Sequence, residues 1–286
     1  MSDPLKELLD LLDLEPLEHN IYRGYNHEIG SGRVFGGQVL AQALVAARRT
    51  VDEPREAHSL HGYFILPGDV STPIVYFVDR LRDGKSFTTR RVTGIQHGQA
   101  IFSMTASFHR SEEGESHQAP MPEAPPPESL VSELDMIRDI ADRLSPRLRE
   151  VLTQDRPIDF RPVDPTDFFL PEPRPPRQMM WLRAQGEVPG AQLEHQAVLA
   201  YASDYGLLAT ALLPHGLSIR MAHLQVASLD HSIWFHRPFR ADEWLLYVMD
   251  SPSAAGARGY ARGLVYTRDG ELVASVAQEG LMRIRG

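Results

Sequence analysis

The chain is 286 residues long, contains no cysteine and carries a formal net charge of −9. Without cysteine, thiolate nucleophiles, disulfides and thiolate metal sites are excluded, and the acidic balance argues against nucleic-acid binding through phosphate contacts. A hydrophobic content of 42% with 23% charged residues is that of a soluble globular protein, with room for one large domain or two ordinary ones.

The opening MSDPLKELLDLLDLEPLEHN has neither the basic n-region nor the unbroken apolar run of a signal peptide. Leu5, Leu8, Leu9 and Leu12 fall at helical spacing and predict a short amphipathic helix. No run reaches the roughly 20 apolar residues of a membrane span, so no span is expected and a cytoplasmic setting fits best. Residues 20–30 read as a strand. Gly36-Gly37 then opens a helix whose stripe is Val39, Leu40, Ala43, Leu44 and Ala47. Strands are predicted over 58–66, 73–81, 87–95 and 100–110, joined by turns at Arg82-Asp83-Gly84 and His97-Gly98.

From Ser111 the composition turns acidic and then Pro-rich, with Pro125-Pro126-Pro127 as a linker signature. Leu130, Leu134, Ile137, Ile140 and Leu144 predict one helix within 128–152, interrupted at Pro146. The prolines of 156–176 argue against a regular element there, although Phe160, Phe168, Phe169 and Leu170 call for an ordered crossing. Beyond it, 178–184 reads as a strand, 191–201 as a helix and 204–213 as a second short helix. Further strands are predicted over 224–236, 243–250, 257–267 and 271–285. Gln225–Tyr247 gathers two Trp, two His, two Phe and a Pro, and reads as the central strand of this half.

The order of elements repeats. AQALVAA at Ala41 and ATALLPH at Ala209 are 168 apart, His61 and His231 170 apart, and the hairpin glycines Gly98 and Gly270 172 apart. A helix followed by four antiparallel strands, twice, is an internal duplication. A long apolar helix wrapped by a curved antiparallel sheet is a hotdog, so the expectation is an α+β double hotdog. The expected units are an N-terminal hotdog at 1–110, a Pro-rich linker with one helix at 111–177, and a C-terminal hotdog at 178–286.

Polar differences between the copies point to chemistry. The 168 offset sets Asp204-Tyr205 against Gly36-Gly37. The 172 offset sets Ala274, Val276, Gln278 and Gly280 against Phe102, Met104, Ala106 and Phe108, which alternation puts on one apolar face. A buried amide at Gln278 costs about 1–3 kcal/mol if left unpaired. Asp204 alone also fits a helix N-cap, and Ser228 alone is an ordinary strand serine. Together in one half, Asp204, Ser228 and Gln278 are the candidate catalytic set. Asp230, His231 and His236 are of metal-ligand type, but His231 and His236 lie on opposite faces of a strand, as do His58 and His61, so no metal site is expected. No GxSxG elbow is present.

VFGGQVLAQAL, HSLHGYFILPGD, LRDGKSFTTRRV, LAYASDYGLL, LDHSIWFHRPFRADEWLLY and VASVAQEGLMR, in that order, resemble the acyl-CoA thioesterase II family over nearly the whole chain. The resemblance is weakest in 111–177. It implies a double hotdog that hydrolyses fatty acyl-CoA to free acid and coenzyme A without a cofactor, as a homodimer or larger assembly. The family's Asp, Thr or Ser, and Gln match Asp204, Ser228 and Gln278; Ser228 keeps the hydroxyl where bacterial relatives usually carry Thr. His58 is a secondary candidate. Alternatives are a hotdog hydratase or dehydratase with an Asp-His pair, and a non-catalytic acyl-CoA-binding module.

Overall fold

In the computed structural model the described residues are 3–285 apart from 31, 53, 170, 220 and 222, which leaves Leu170 of the apolar crossing outside them. Helix α1 (Pro4–Leu12) starts where the Asp3 carboxylate accepts the N–H groups of Leu5 and Lys6 and Pro4 stands in the first turn. Its buried face is Leu5, Leu8 and Leu12. A hairpin of β1 (Glu15–Glu18) and β2 (Ile21–Gly24) follows, turning at Asn20 with φ of 61°. The predicted strand over 20–30 ends early, at Gly24. Beyond that point side chains of the next helix, not a ladder, take the backbone groups. Gln38 and Gln42 donate to the Tyr25 carbonyl, and Gln38 Oε1 accepts the His27 N–H.

Helix α2 (Gly36–Arg48) is buried from Gly37 to Arg48. It lies on β4 (Ile74–Asp83), β5 (Phe87–Gln96) and β6 (Gln99–His109), with β3 (Glu56–Phe64) completing this half. The middle segment is more structured than predicted. One interrupted helix was expected; two short ones form, α3 (Glu133–Asp139) and α4 (Pro146–Leu152). Pro146 opens α4, where its missing N–H costs nothing, and Ser145 caps it. The expectation of no regular element in 156–176 is overturned by β7 (Ile158–Pro162), which starts after Pro157, ends on Pro162 and pairs with β8 (Arg177–Ala184).

The second half continues with α5 (Gln192–Ser203), a 3-10 helix at Leu208–His215, β9 (Leu224–Ser228), β10 (Asp230–Phe235), β11 (Leu245–Ala255), β12 (Arg258–Thr267) and β13 (Leu272–Ile284). The single strand predicted over 224–236 is two. At the break, the Asp230 carboxylate accepts the Glu279 N–H at 2.6 Å and displaces the ladder. Asp204 does not begin a helix as an N-cap: it closes α5 as the C-cap, and its N–H turns back to the Ala202 carbonyl. The 3-10 stretch lies on β11, β12 and β13 as α2 lies on β4, β5 and β6.

All strands belong to one sheet in the order β1-β2-β4-β5-β6-β3-β10-β13-β12-β11-β8-β7, with β9 pairing β13 off that path. Around the antiparallel β3–β10 pair the order of the two halves is mirrored, which is the duplication made visible: two hotdogs joined edge to edge. Phe102, Met104, Ala106 and Phe108 are all buried, and so are Ala274, Val276, Gln278 and Gly280. The stretch Gln192–His215 is long and apolar enough to cross a bilayer, but 67% of its most apolar window is buried inside the molecule, where it forms α5 and the 3-10 stretch.

Candidate active site

The site is assembled by three elements of the second half and one of the first. Gln278 is on β13, on the inward face. Ser228 ends β9 and pairs with Gly280, two residues along β13 from Gln278, so both side chains share a face. Asp204 arrives from the C-terminus of α5 with its side chain only 6% exposed. Gln278 Nε2 donates to Asp204 Oδ1 at 2.6 Å and to Ser228 Oγ at 2.9 Å, and Ser228 Oγ donates to Asp204 Oδ1 at 3.4 Å. The three candidates thus meet around one carboxylate oxygen. Both amide protons of Gln278 are used, while its buried Oε1 has no partner among the described residues.

The other carboxylate oxygen faces the first half. A Cβ built on Gly36 would lie 2.7 Å from Asp204 Oδ2, and one on Gly37 would lie 2.3 Å from the Tyr201 carbonyl. Only glycines let the start of α2 approach the end of α5 this closely. The N–H groups of Gly36 and Gly37, which precede the first bonds of α2 back to the Phe35 carbonyl, therefore lie beside the carboxylate. The half-against-half comparison set Gly36-Gly37 and Asp204-Tyr205 in equivalent places. In space they are opposing parts of one site.

Sequence reasoning missed three neighbours. His231, inward on β10 and fully buried, places Nδ1 3.8 Å from Asp204 Oδ1, and burial pushes its pKa down to about 4 despite that carboxylate. Ser203 Oγ lies 2.9 Å from His231 Nε2, and Tyr247 donates to the Ser203 carbonyl at 3.0 Å. The signal for His231 was the alternation of β10, which set it opposite to His236; His236 does point outward, to Ser275 Oγ at 2.8 Å. His58 is not brought to the three candidates. It bonds Ser107 Oγ at 2.8 Å and packs edge-on to Phe87.

A cavity of about 450 Å³ adjoins the site, lined by Leu8 and Leu11 of α1, Phe35, Val151 of α4, Tyr201 and Tyr205. Phe35 and Tyr205 flank Gly36 and Asp204 in the chain. The middle segment braces this wall. Tyr205 hydroxyl and Arg156 Nη1 both donate to Glu133 Oε2, Arg156 at 2.8 Å, and Phe160 stacks on the Tyr205 ring with centroids 4.2 Å apart.

With this geometry in place, comparison with known proteins is direct. Residues 24–109 match the family described as acyl-CoA thioesterase N-terminal domain, and residues 153–281 match acyl-CoA thioesterase. Acyl-coenzyme A thioesterase 8 of Mus musculus is 42% identical, over 100% of this chain and 92% of its own. Acyl-CoA thioesterase 2 of Haemophilus influenzae is 41% identical over 99% of both chains. The crystal structure of an acyl-CoA thioesterase II, TesB2, from Mycobacterium marinum superposes with a TM-score of 0.80 at 46% identity, covering 98% of this chain and 99% of that one. A hot dog protein from Alicyclobacillus acidocaldarius, 18% identical with a TM-score of 0.77 over the full length of both chains, shares the fold. Matched in both halves and along its whole length, the chain belongs to the acyl-CoA thioesterase family.

Proposed function

We propose that the protein hydrolyses acyl-CoA thioesters by direct attack of water, with Asp204 as general base. The observation that carries this reading is the convergence of Ser228 and Gln278 on Asp204 Oδ1 while Oδ2 faces the start of α2. Two donors hold the carboxylate in one orientation, and its second oxygen is left to take a proton from water. Gln278 Oε1, buried and without a partner among the described residues, is suited to accept the water's other O–H. The water oxygen attacks the thioester carbonyl carbon, and the oxyanion that develops falls to the N–H groups of Gly36 and Gly37 at the start of α2. The carbon–sulfur bond then breaks. Coenzyme A leaves as a thiolate of low basicity, so no strong general acid is required. The apolar cavity behind Phe35, Tyr201 and Tyr205 is of a size and lining suited to an acyl chain.

The Asp-His pair of a hydratase would need its imidazole exposed to substrate. His231 is fully buried and tied to Ser203, which favours hydrolysis over hydration. A homodimer or larger assembly in the cytoplasm remains part of the proposal. Exposed Tyr63, Phe77 and Leu81 on β3 and β4 and the two sheet edges support association.

The test is thiol release from acyl-CoA by Asp204→Asn and Gln278→Ala. The expected loss for Asp204→Asn is about 10²–10⁴-fold, the usual worth of a general base, and a clear loss follows in Gln278→Ala, with fold and acyl-CoA binding retained in both. Full activity in either variant contradicts the assignment. Binding with no turnover by the unaltered protein would instead support a binding module.

A further inference from the structure

The ring of His231 is the one buried imidazole beside the candidate base, and its hydrogen bonds determine where its proton lies. Ser203 Oγ is 2.9 Å from His231 Nε2 and 3.0 Å from the Ala200 carbonyl. A hydroxyl has a single proton to give. The Asp204 N–H, which would ordinarily close the helix onto Ala200, turns to Ala202 instead, so the Ala200 carbonyl takes the Ser203 proton. Ser203 Oγ must then accept from His231, which puts the imidazole proton on Nε2. Nδ1 carries a lone pair, has no hydrogen-bond partner among the described residues, and faces Asp204 Oδ1 at 3.8 Å.

We infer that Ser203 locks His231 in the Nε2–H tautomer, so that a lone pair and not a proton faces the base. His231 is then a positioning residue for Asp204. An N–H at Nδ1 would compete with the donors Gln278 and Ser228 and draw the carboxylate away from its orientation. A lone pair there offers Oδ1 no further donor, so Gln278 and Ser228 alone hold the carboxylate and Oδ2 stays turned to the start of α2. The groups around the ring permit this. Gly62, its partner on β3, carries no charge, and Tyr247 on β11 is committed to the Ser203 carbonyl. Asp204 is the charged group that acts on the imidazole among the described residues, and burial keeps the imidazole neutral at neutral pH.

The inference rests on Asp204 being the base, so its test has one readout free of activity. Nitrogen-15 NMR of histidine-labelled, substrate-free protein reports the tautomer, with the His231 signal identified by its loss in His231→Gln. The expected result is a protonated Nε2 and a bare Nδ1, and in Ser203→Ala a new population protonated at Nδ1. In Ser203→Ala kcat should fall about tenfold at unchanged KM, as a donor at Nδ1 competes for Asp204 Oδ1. A protonated Nδ1 in the unaltered protein overturns the inference, as does a Ser203→Ala variant with unchanged tautomer and unchanged kcat. An active Asp204→Asn variant with the Nε2–H tautomer intact would instead overturn the base assignment beneath it.

Discussion

Gln278 stands on a strand face whose other members are Ala274, Val276 and Gly280, and that mismatch is why a single residue was legible without coordinates. A buried amide must find partners, and it finds two of the polar groups the same comparison raised. His231 was not legible, because alternation gives a face but not a neighbour 27 residues away on a helix end. Its burial has a measurable consequence. The folded pKa of about 4 lies below the ordinary 6.5, so the unfolded chain binds the extra proton between those values. Stability is therefore full above pH 6.5, falls as pH drops towards 4 and levels off below it, by about 3 kcal/mol in total. Urea unfolding at pH 7.5 and 5 should show a smaller acid loss in His231→Gln than in the unaltered protein. Equal losses would mean that His231 does not carry that slope.

At the scale of elements, the site exists because two helix ends meet. The start of α2 and the end of α5 approach so closely that Gly36 and Gly37 have no room for a methyl group. The sequence predicts a helix over 204–213, with Asp204 at its start where aspartate is a favoured N-cap. Here the tertiary contact overrides that preference: the carboxylate is beside a helix N-terminus, but that of α2, which belongs to the other half. A Cβ at Gly36 would press on Asp204 Oδ2 at 2.7 Å and on the Phe64 ring at 3.0 Å. Gly36→Ala should therefore lower kcat by about tenfold or more while overpacking costs about 1–3 kcal/mol of stability. Thiol-release kinetics alongside thermal unfolding checks both. Unchanged kcat would mean that the approach of α2 is not part of the site.

For the whole molecule, the duplication was readable because packing repeats: apolar faces on β6 and β13, hairpin glycines, and a core helix in each half. What did not read was the middle. Its prolines looked like linker, yet α3, α4 and β7 form an ordered wall whose Glu133, Arg156 and Phe160 brace Tyr205, the residue after Asp204. Such contacts join residues far apart in the chain and leave no periodic trace. The resulting account is of two hotdogs arranged so that a helix start from one meets a polar trio from the other. Its central claim is that Asp204 activates water and is not itself acylated. The direct measurement is a single turnover in oxygen-18 water with enzyme in excess over acyl-CoA, followed by mass spectrometry of the released acid. The account predicts one solvent oxygen in the acid from that first turnover; unlabelled acid, with the label on Asp204, would contradict it.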